Sequence, residues 1–134
     1  MYELTINEQV YQFRFGFGFL KAIDKTASMP IDNIDGVRKN VGLRLAVAGL
    51  IDGDVMQLVD VLDTANKAEK PRLTRAALES YIEDPETNID GIFTDVLGFL
   101  RTSNCTKNVV QELEEAVEAE KAKQEAKEAA ESEN

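Results

Sequence analysis

Histidine is missing from this chain, and cysteine occurs once, at Cys105. Without histidine the commonest general base and metal ligand is gone. With one thiol besides, neither a Ser-His or Cys-His nucleophile system nor a transition-metal site can be assembled. A lone cysteine also excludes an internal disulfide and fits a reducing compartment. No stretch approaches the roughly 18 to 20 uninterrupted apolar residues of a membrane span, and the N-terminus lacks the basic-then-apolar pattern of a secretory signal. The expected location is therefore a cytoplasm, with no membrane partner. Basic residues are scarce as well: 15 Lys and Arg against 25 Asp and Glu leave a net charge of −10. An acidic surface opposes binding to nucleic-acid phosphates or anionic lipid, so no nucleic-acid partner is expected. The charge serves solubility, or a cationic protein surface. Carboxylates are plentiful, but none is paired with an apolar pocket in the sequence, so no acid/base dyad can be nominated. The reading is of a protein that is not an enzyme, with no catalytic residue, no cofactor and no metal.

What is present begins with residues 2–26, YELTINEQVYQFRFGFGFLKAIDKT. Four of the six phenylalanines and two of the three tyrosines lie there, so the core is expected to nucleate there. Tyr2, Leu4 and Ile6 alternate with polar residues, as do Tyr11, Phe13 and Phe15, which is the period of two half-buried strands. Asn7-Glu8 between them is the turn of an antiparallel hairpin, although Asn-Gly would be the stronger signal. Phe19, Leu20 and Ile23 then share one face of a helix to about Thr26. Gly16 and Gly18, at the change of period, are expected to let sheet and helix backbones approach closely. Phe13, Phe15 and Phe17 are assigned to the core, because Arg14 alone is too little charge for a base-stacking platform.

Residues 27–36, ASMPIDNIDG, read as a connector. A helix starting between Ile34 and Asn40 and ending near Ile51 carries apolar residues around much of its circumference, Val41, Leu45 and Ala48 beside Leu43, Val47 and Leu50, which implies burial on more than one side. Asp52-Gly53-Asp54 stops it, with Gly53 suited to a C-terminal cap and Asp54 to the next N-cap. The following helix, to about Asn66, places Val55, Leu58, Val59, Leu62 and Ala65 on one face, forming a helical hairpin. Thr74 caps a short helix to about Glu83, and residues 88–102 carry the clearest amphipathic pattern. Asp52, Asp54, Asp60 and Asp63 fail as a calcium loop, because Met56 and Leu58 occupy the alternate positions where oxygen ligands belong. Asn33-Ile34-Asp35-Gly36 recurs as Asn88-Ile89-Asp90-Gly91 and reads as a repeated helix start. Gly16-Phe17-Gly18 lacks the spacing of a dinucleotide loop and the Lys-Ser/Thr of a P-loop.

From Thr106 the chain is helical by propensity while its apolar face fades. Val109, Val110, Leu113, Ala116 and Val117 make a short stripe, and residues 118–134 hold only Ala, Glu, Lys, Gln, Ser and Asn. Nine acidic and three basic residues crowd into residues 112–134, so this end is expected to be solvated and to fray. The fold class is α+β, mostly α: an N-terminal β-hairpin packed on five to six helices, with a solvated acidic C-terminal helix. Residues 1–110 form the compact domain and 111–134 the helical or disordered extension. The stripe Val109, Leu113 and Val117 is the candidate surface for a partner or a second copy, because the residues after it offer it nothing to pack on.

Taken in order, FRFGFGFLKAIDK, GLRLAVAGLIDGDVMQLVDVLDTAN, PRLTRAALESYIED and NIDGIFTDVLGFLRTSNCTKNV resemble the tail assembly chaperones of long-tailed bacteriophages of Gram-positive hosts. The resemblance covers about residues 2–110 and is carried most specifically by FGFGFL, by the Leu50-Ile51-Asp52-Gly53-Asp54 turn, and by Phe99-Leu100-Arg101-Thr102-Ser103-Asn104. It implies a non-enzymatic protein, absent from the mature virion, that keeps the long helical tape-measure protein soluble in the host cytoplasm. It also implies that the protein promotes polymerisation of the tail-tube protein around that tape measure. In many such phages a frameshift yields a longer product whose added domain recruits tube subunits; the helix after Cys105 would then be its stem. Copies repeated along such a partner could also self-associate head to tail, so a homo-oligomer is a further expectation. The alternative is an acidic helical adaptor or scaffold of a bacterial host with no viral role.

Overall fold

The computed structural model describes residues 1–132. Strands β1 (Tyr2–Ile6) and β2 (Gln9–Phe13) pair antiparallel with Tyr2 opposite Phe13 and Ile6 opposite Gln9. That register leaves a two-residue loop, and both Asn7 (φ 52°) and Glu8 (φ 67°) take the left-handed backbone such a loop demands. Tyr2, Ile6 and Phe13 turn one face of the hairpin into the core, as the alternation predicts. Tyr2 and Phe15 both meet Phe99, with ring centroids 5.4 and 6.0 Å apart, and Phe15 meets Phe19 edge-on at 5.2 Å. The aromatic stretch thus joins the hairpin to helix α1 (Phe17–Asp24) and to helix α5 (Ile89–Thr102).

Residues 27–40 differ from the expected connector and helix start. Strands β3 (Ser28–Pro30) and β4 (Arg38–Asn40) form a second, short antiparallel hairpin. Asn33 (φ 66°) and Gly36 (φ 76°) lie in its loop, so the first Asn-Ile-Asp-Gly is turn grammar and only the second is a helix start. There, Asn88 accepts the Gly91 N–H at 3.1 Å. Helix α2 (Gly42–Ile51) begins late because its cap comes from elsewhere: the Asp24 carboxylate, at the end of α1, accepts the Leu43 N–H at 3.2 Å. A Cβ on Gly42 would collide with the Ile23 carbonyl oxygen, so this glycine carries the close backbone approach. A Cβ on Gly18 would meet nothing within 4 Å, contrary to the expected role of that pair.

Helix α2 packs against α1, α3 (Val55–Asn66), α5 and α6 (Lys107–Ser132) and is the central helix. Leu45 is the exception on it, 52 % exposed. Asp54 caps α3 as expected, accepting from Met56 and Gln57 N–H groups at 3.0 and 3.3 Å, and Gly53 (φ 75°) makes the turn before it. Helix α4 (Arg75–Glu83) is capped by Thr74, which accepts the Ala77 N–H at 3.2 Å.

One buried polar group ties hairpin to helices. Asn66 is fully buried at the end of α3 and donates to the carbonyls of Gln12 (2.9 Å) and Pro71 (3.3 Å). It accepts the Leu73 N–H at 2.7 Å and an Arg72 guanidinium N–H at 2.9 Å. Its one side chain thereby satisfies β2 and the loop into α4 together, as a buried amide must.

Candidate partner-binding surface

Helix α6 is set down by a short turn tied both to the end of α5 and to the N-terminal aromatic stretch. Thr106 donates to the Leu100 carbonyl at 2.6 Å, and Ser103 donates to the Phe15 carbonyl at 2.8 Å. The first turns of α6 then lie between α2 and α5. Val110 is fully buried, and Val109 and Leu113 are half-buried against the core. On either side of this seam an ion pair reaches across: Arg44 to Glu112 at 2.7 Å and Arg101 to Glu114 at 2.9 Å. The Arg44 guanidinium, by hydrogen bond and then by charge, holds the Glu112 carboxyl below the usual carboxylate range. Val117 is half-buried one turn further on, and every residue from 118 to 132 is exposed.

Of the three stripe residues expected from sequence, Val109 and Leu113 therefore divide their surface between core and solvent, and Val117 marks where docking ends. Beyond it α6 continues about 22 Å as a free-standing helix at 1.5 Å per residue. Alanine, glutamate and lysine favour the helix there, with local pairs such as Glu118–Lys121 (3.8 Å) along its surface. Helix α6 runs unbroken through residues 110 and 111.

Several apolar side chains are exposed elsewhere, two of them, Phe17 and Val55, contrary to the inward placement expected from the sequence. Phe17, expected in the core, is 69 % exposed at the first position of α1, because that helix begins two residues before its buried face does. Met56 is 77 % exposed, and Val55, assigned to the inner face of α3, is 45 % exposed. Both sit in the first turn of α3, ahead of Leu58, Val61, Leu62 and Ala65, which fix its buried side. Met29, Ile34 and Val37 are exposed on the β3–β4 hairpin. Phe17, Val55 and Met56 lie at helix starts, where hydrophobic period says least about burial, and Met29 and Ile34 fall in the stretch read as a connector. These apolar side chains stand exposed on an otherwise acidic surface.

One hollow, about 700 Å³, lies between Arg14, Phe17, Ala22, Lys67 and Cys105, and no carboxylate pair converges on it. Among the described residues no group of three His, Cys, Asp or Glu side chains could hold a metal ion, and no helix is long and apolar enough to cross a membrane. What the arrangement offers is surface: exposed apolar side chains on α1, α3 and the second hairpin, and a projecting acidic helix.

The family model for phage tail assembly chaperone protein, TAC, matches residues 3–115, from β1 to the docked part of α6. No curated relative and no solved structure matches the chain. The match favours tail assembly over a host adaptor role, and its extent takes in the whole docked fold. This chain belongs to the phage tail assembly chaperone family.

Proposed function

We infer that this chain binds the tape-measure protein of its phage, keeps it soluble and promotes tail-tube polymerisation along it. The observation that carries this reading is the family match over residues 3–115. The surface supports it. A tape-measure chain presents repeated amphipathic helices that aggregate unless their apolar stripes are covered, and this protein pairs exposed apolar side chains with a net charge of −10. Many copies along one long partner would gain avidity from repetition, and contacts between neighbouring copies would add to it. The half-buried edge Val109, Leu113 and Val117 contributes to the partner contact or to contact between copies. The work is done in the host cytoplasm, and the protein leaves before the virion is complete. A longer, frameshifted form would carry its tube-recruiting domain on the stem of α6.

Co-expression with the long helical protein encoded downstream tests the reading. The large protein is expected to become soluble and to co-purify with many copies of this chain, and Val117→Glu is expected to weaken the association without altering the fold. A large protein that stays in the pellet, with nothing retained in a pull-down, would remove the reading.

A further inference from the structure

Between the first turn of α3 and the end of α4 lies an open apolar groove of about 480 Å³, within the roughly 300–1,000 Å³ range of ligand clefts. Its floor is Val59 and Ile82, each 6 % exposed, and Ile89 closes one end. Val55 and Met56 stand exposed on one wall, 45 % and 77 %. Glu79 and Glu83 line the other. The one guanidinium at this rim, Arg75, is already shared among Asp60 (2.6 Å), Glu79 (3.1 Å) and Asp63 (3.7 Å). Among the described residues Glu83 has no ion pair, so the rim is acidic while the floor is aliphatic.

We propose that this groove is the seat of a cationic amphipathic helix, a segment whose apolar stripe at i, i+3, i+4 and i+7 is bordered by lysine or arginine. On the function proposed above, on which this assignment of the partner rests, that helix is a segment of the tape-measure protein. The apolar anchors would fill the space over Val59 and Ile82 beside the flexible Met56, and the flanking cations would meet Glu79 and Glu83. Charge complementarity at a rim sets partner choice and orientation. The free end of α6 from a second copy does not meet this description. Its only apolar residues beyond Val117 are alanines, and its excess of glutamate would face Glu83.

The test uses a synthetic five-turn helix of about 18 residues with a leucine stripe flanked by lysine, and a twin with glutamate in place of lysine, followed by fluorescence anisotropy. The intact chain is expected to bind the lysine peptide at least about tenfold more tightly than its twin. Met56→Asp and Val55→Asp are expected to weaken that binding about tenfold, while Val10→Asp, on the exposed side of the β1–β2 hairpin, leaves it unchanged. Met56→Asp makes the protein more acidic, so non-specific attraction of a cationic peptide would rise; a loss can only come from the groove. Glu83→Lys, at an exposed position, is expected to narrow the preference between the twins. Equal binding of both peptides, or binding indifferent to Met56→Asp and Glu83→Lys, would overturn the assignment. So would self-association of the chain alone that Met56→Asp abolishes, because the occupant would then be a second copy. If the intact chain takes the peptide through the groove yet leaves the tape-measure protein insoluble, the groove stands and the functional reading falls.

Discussion

Replacing Asn66 by alanine tests how the hairpin is held to the helices. The substitution orphans the Leu73 N–H, which is enclosed next to a side chain only 1 % exposed, and removes a donor from the half-buried Gln12 carbonyl. Pro71 is exposed and its carbonyl can turn to water, and Arg72 keeps Asp63 at 2.8 Å, so neither adds much. One enclosed donor and one partly enclosed acceptor, at about 1–3 kcal/mol for the first and less for the second, put the loss at about 2–4 kcal/mol. Against a total stability of about 5–15 kcal/mol that is a large fraction. With a urea slope of about 2 kcal/mol/M, the unfolding midpoint should fall by about 1–2 M with the slope unchanged. Amide exchange at Leu73 should rise at the same time. Asn104→Ala, at an exposed site, should stay within about 0.5 kcal/mol of the parent. An Asn66→Ala midpoint lowered by less than about 0.3 M would refute the argument, because solvent would then be replacing the lost bonds.

Glu8→Gly is expected to stabilise the protein by about 0.5–1 kcal/mol, since Glu8 pays left-handed strain at φ 67° in a two-residue turn that favours Asn-Gly; thermal melting reads the sign. Gly42→Ala is expected to cost about 1–3 kcal/mol through collision with the Ile23 carbonyl, whereas Gly18→Ala, open and helical, gains up to about 1 kcal/mol. Burial, with the Asp95 carboxylate second, raises the Tyr2 phenol above its ordinary range, so the stability it contributes is present below about pH 10 and is lost as pH rises from there. A spectroscopic titration should show that ionisation moving down in Asp95→Asn. A chain ending at residue 117 should melt as the full chain does, while one ending at residue 110 loses Leu113 and both cross-helix ion pairs and should melt measurably lower.

The parts of this fold that were legible in the sequence are those where local pattern and packing agree. The β1–β2 alternation, the Asp54, Thr74 and Asn88 caps and the 3.6-residue faces of α5 and of α3 from Leu58 onward lie where the residues placed them. The misreadings share a cause. Asn33-Ile34-Asp35-Gly36 has the same local grammar as Asn88-Ile89-Asp90-Gly91, and only the pairing of Ser28–Pro30 with Arg38–Asn40 decides between turn and helix start. The start of α2 at Gly42 depends on Asp24, far back in the chain, and the tight glycine is recognised only through the Ile23 carbonyl opposite it. Exposure at Phe17 and Met56 is likewise set by which neighbours are absent at a helix end, a property of tertiary placement. The acidic rim beside Met56 was beyond reach for the same reason, since Glu83 and Val55 come from different helices.

The measurement closest to the central claim is the mass of the complex formed when this chain is co-expressed with the tape-measure protein, read by light scattering on the eluting peak. A single soluble species holding many copies of this chain per tape-measure chain is the expected result, with the chain alone eluting separately and far smaller. A tape-measure protein that is soluble without this chain, or a mass that shows none of it bound, would contradict the account.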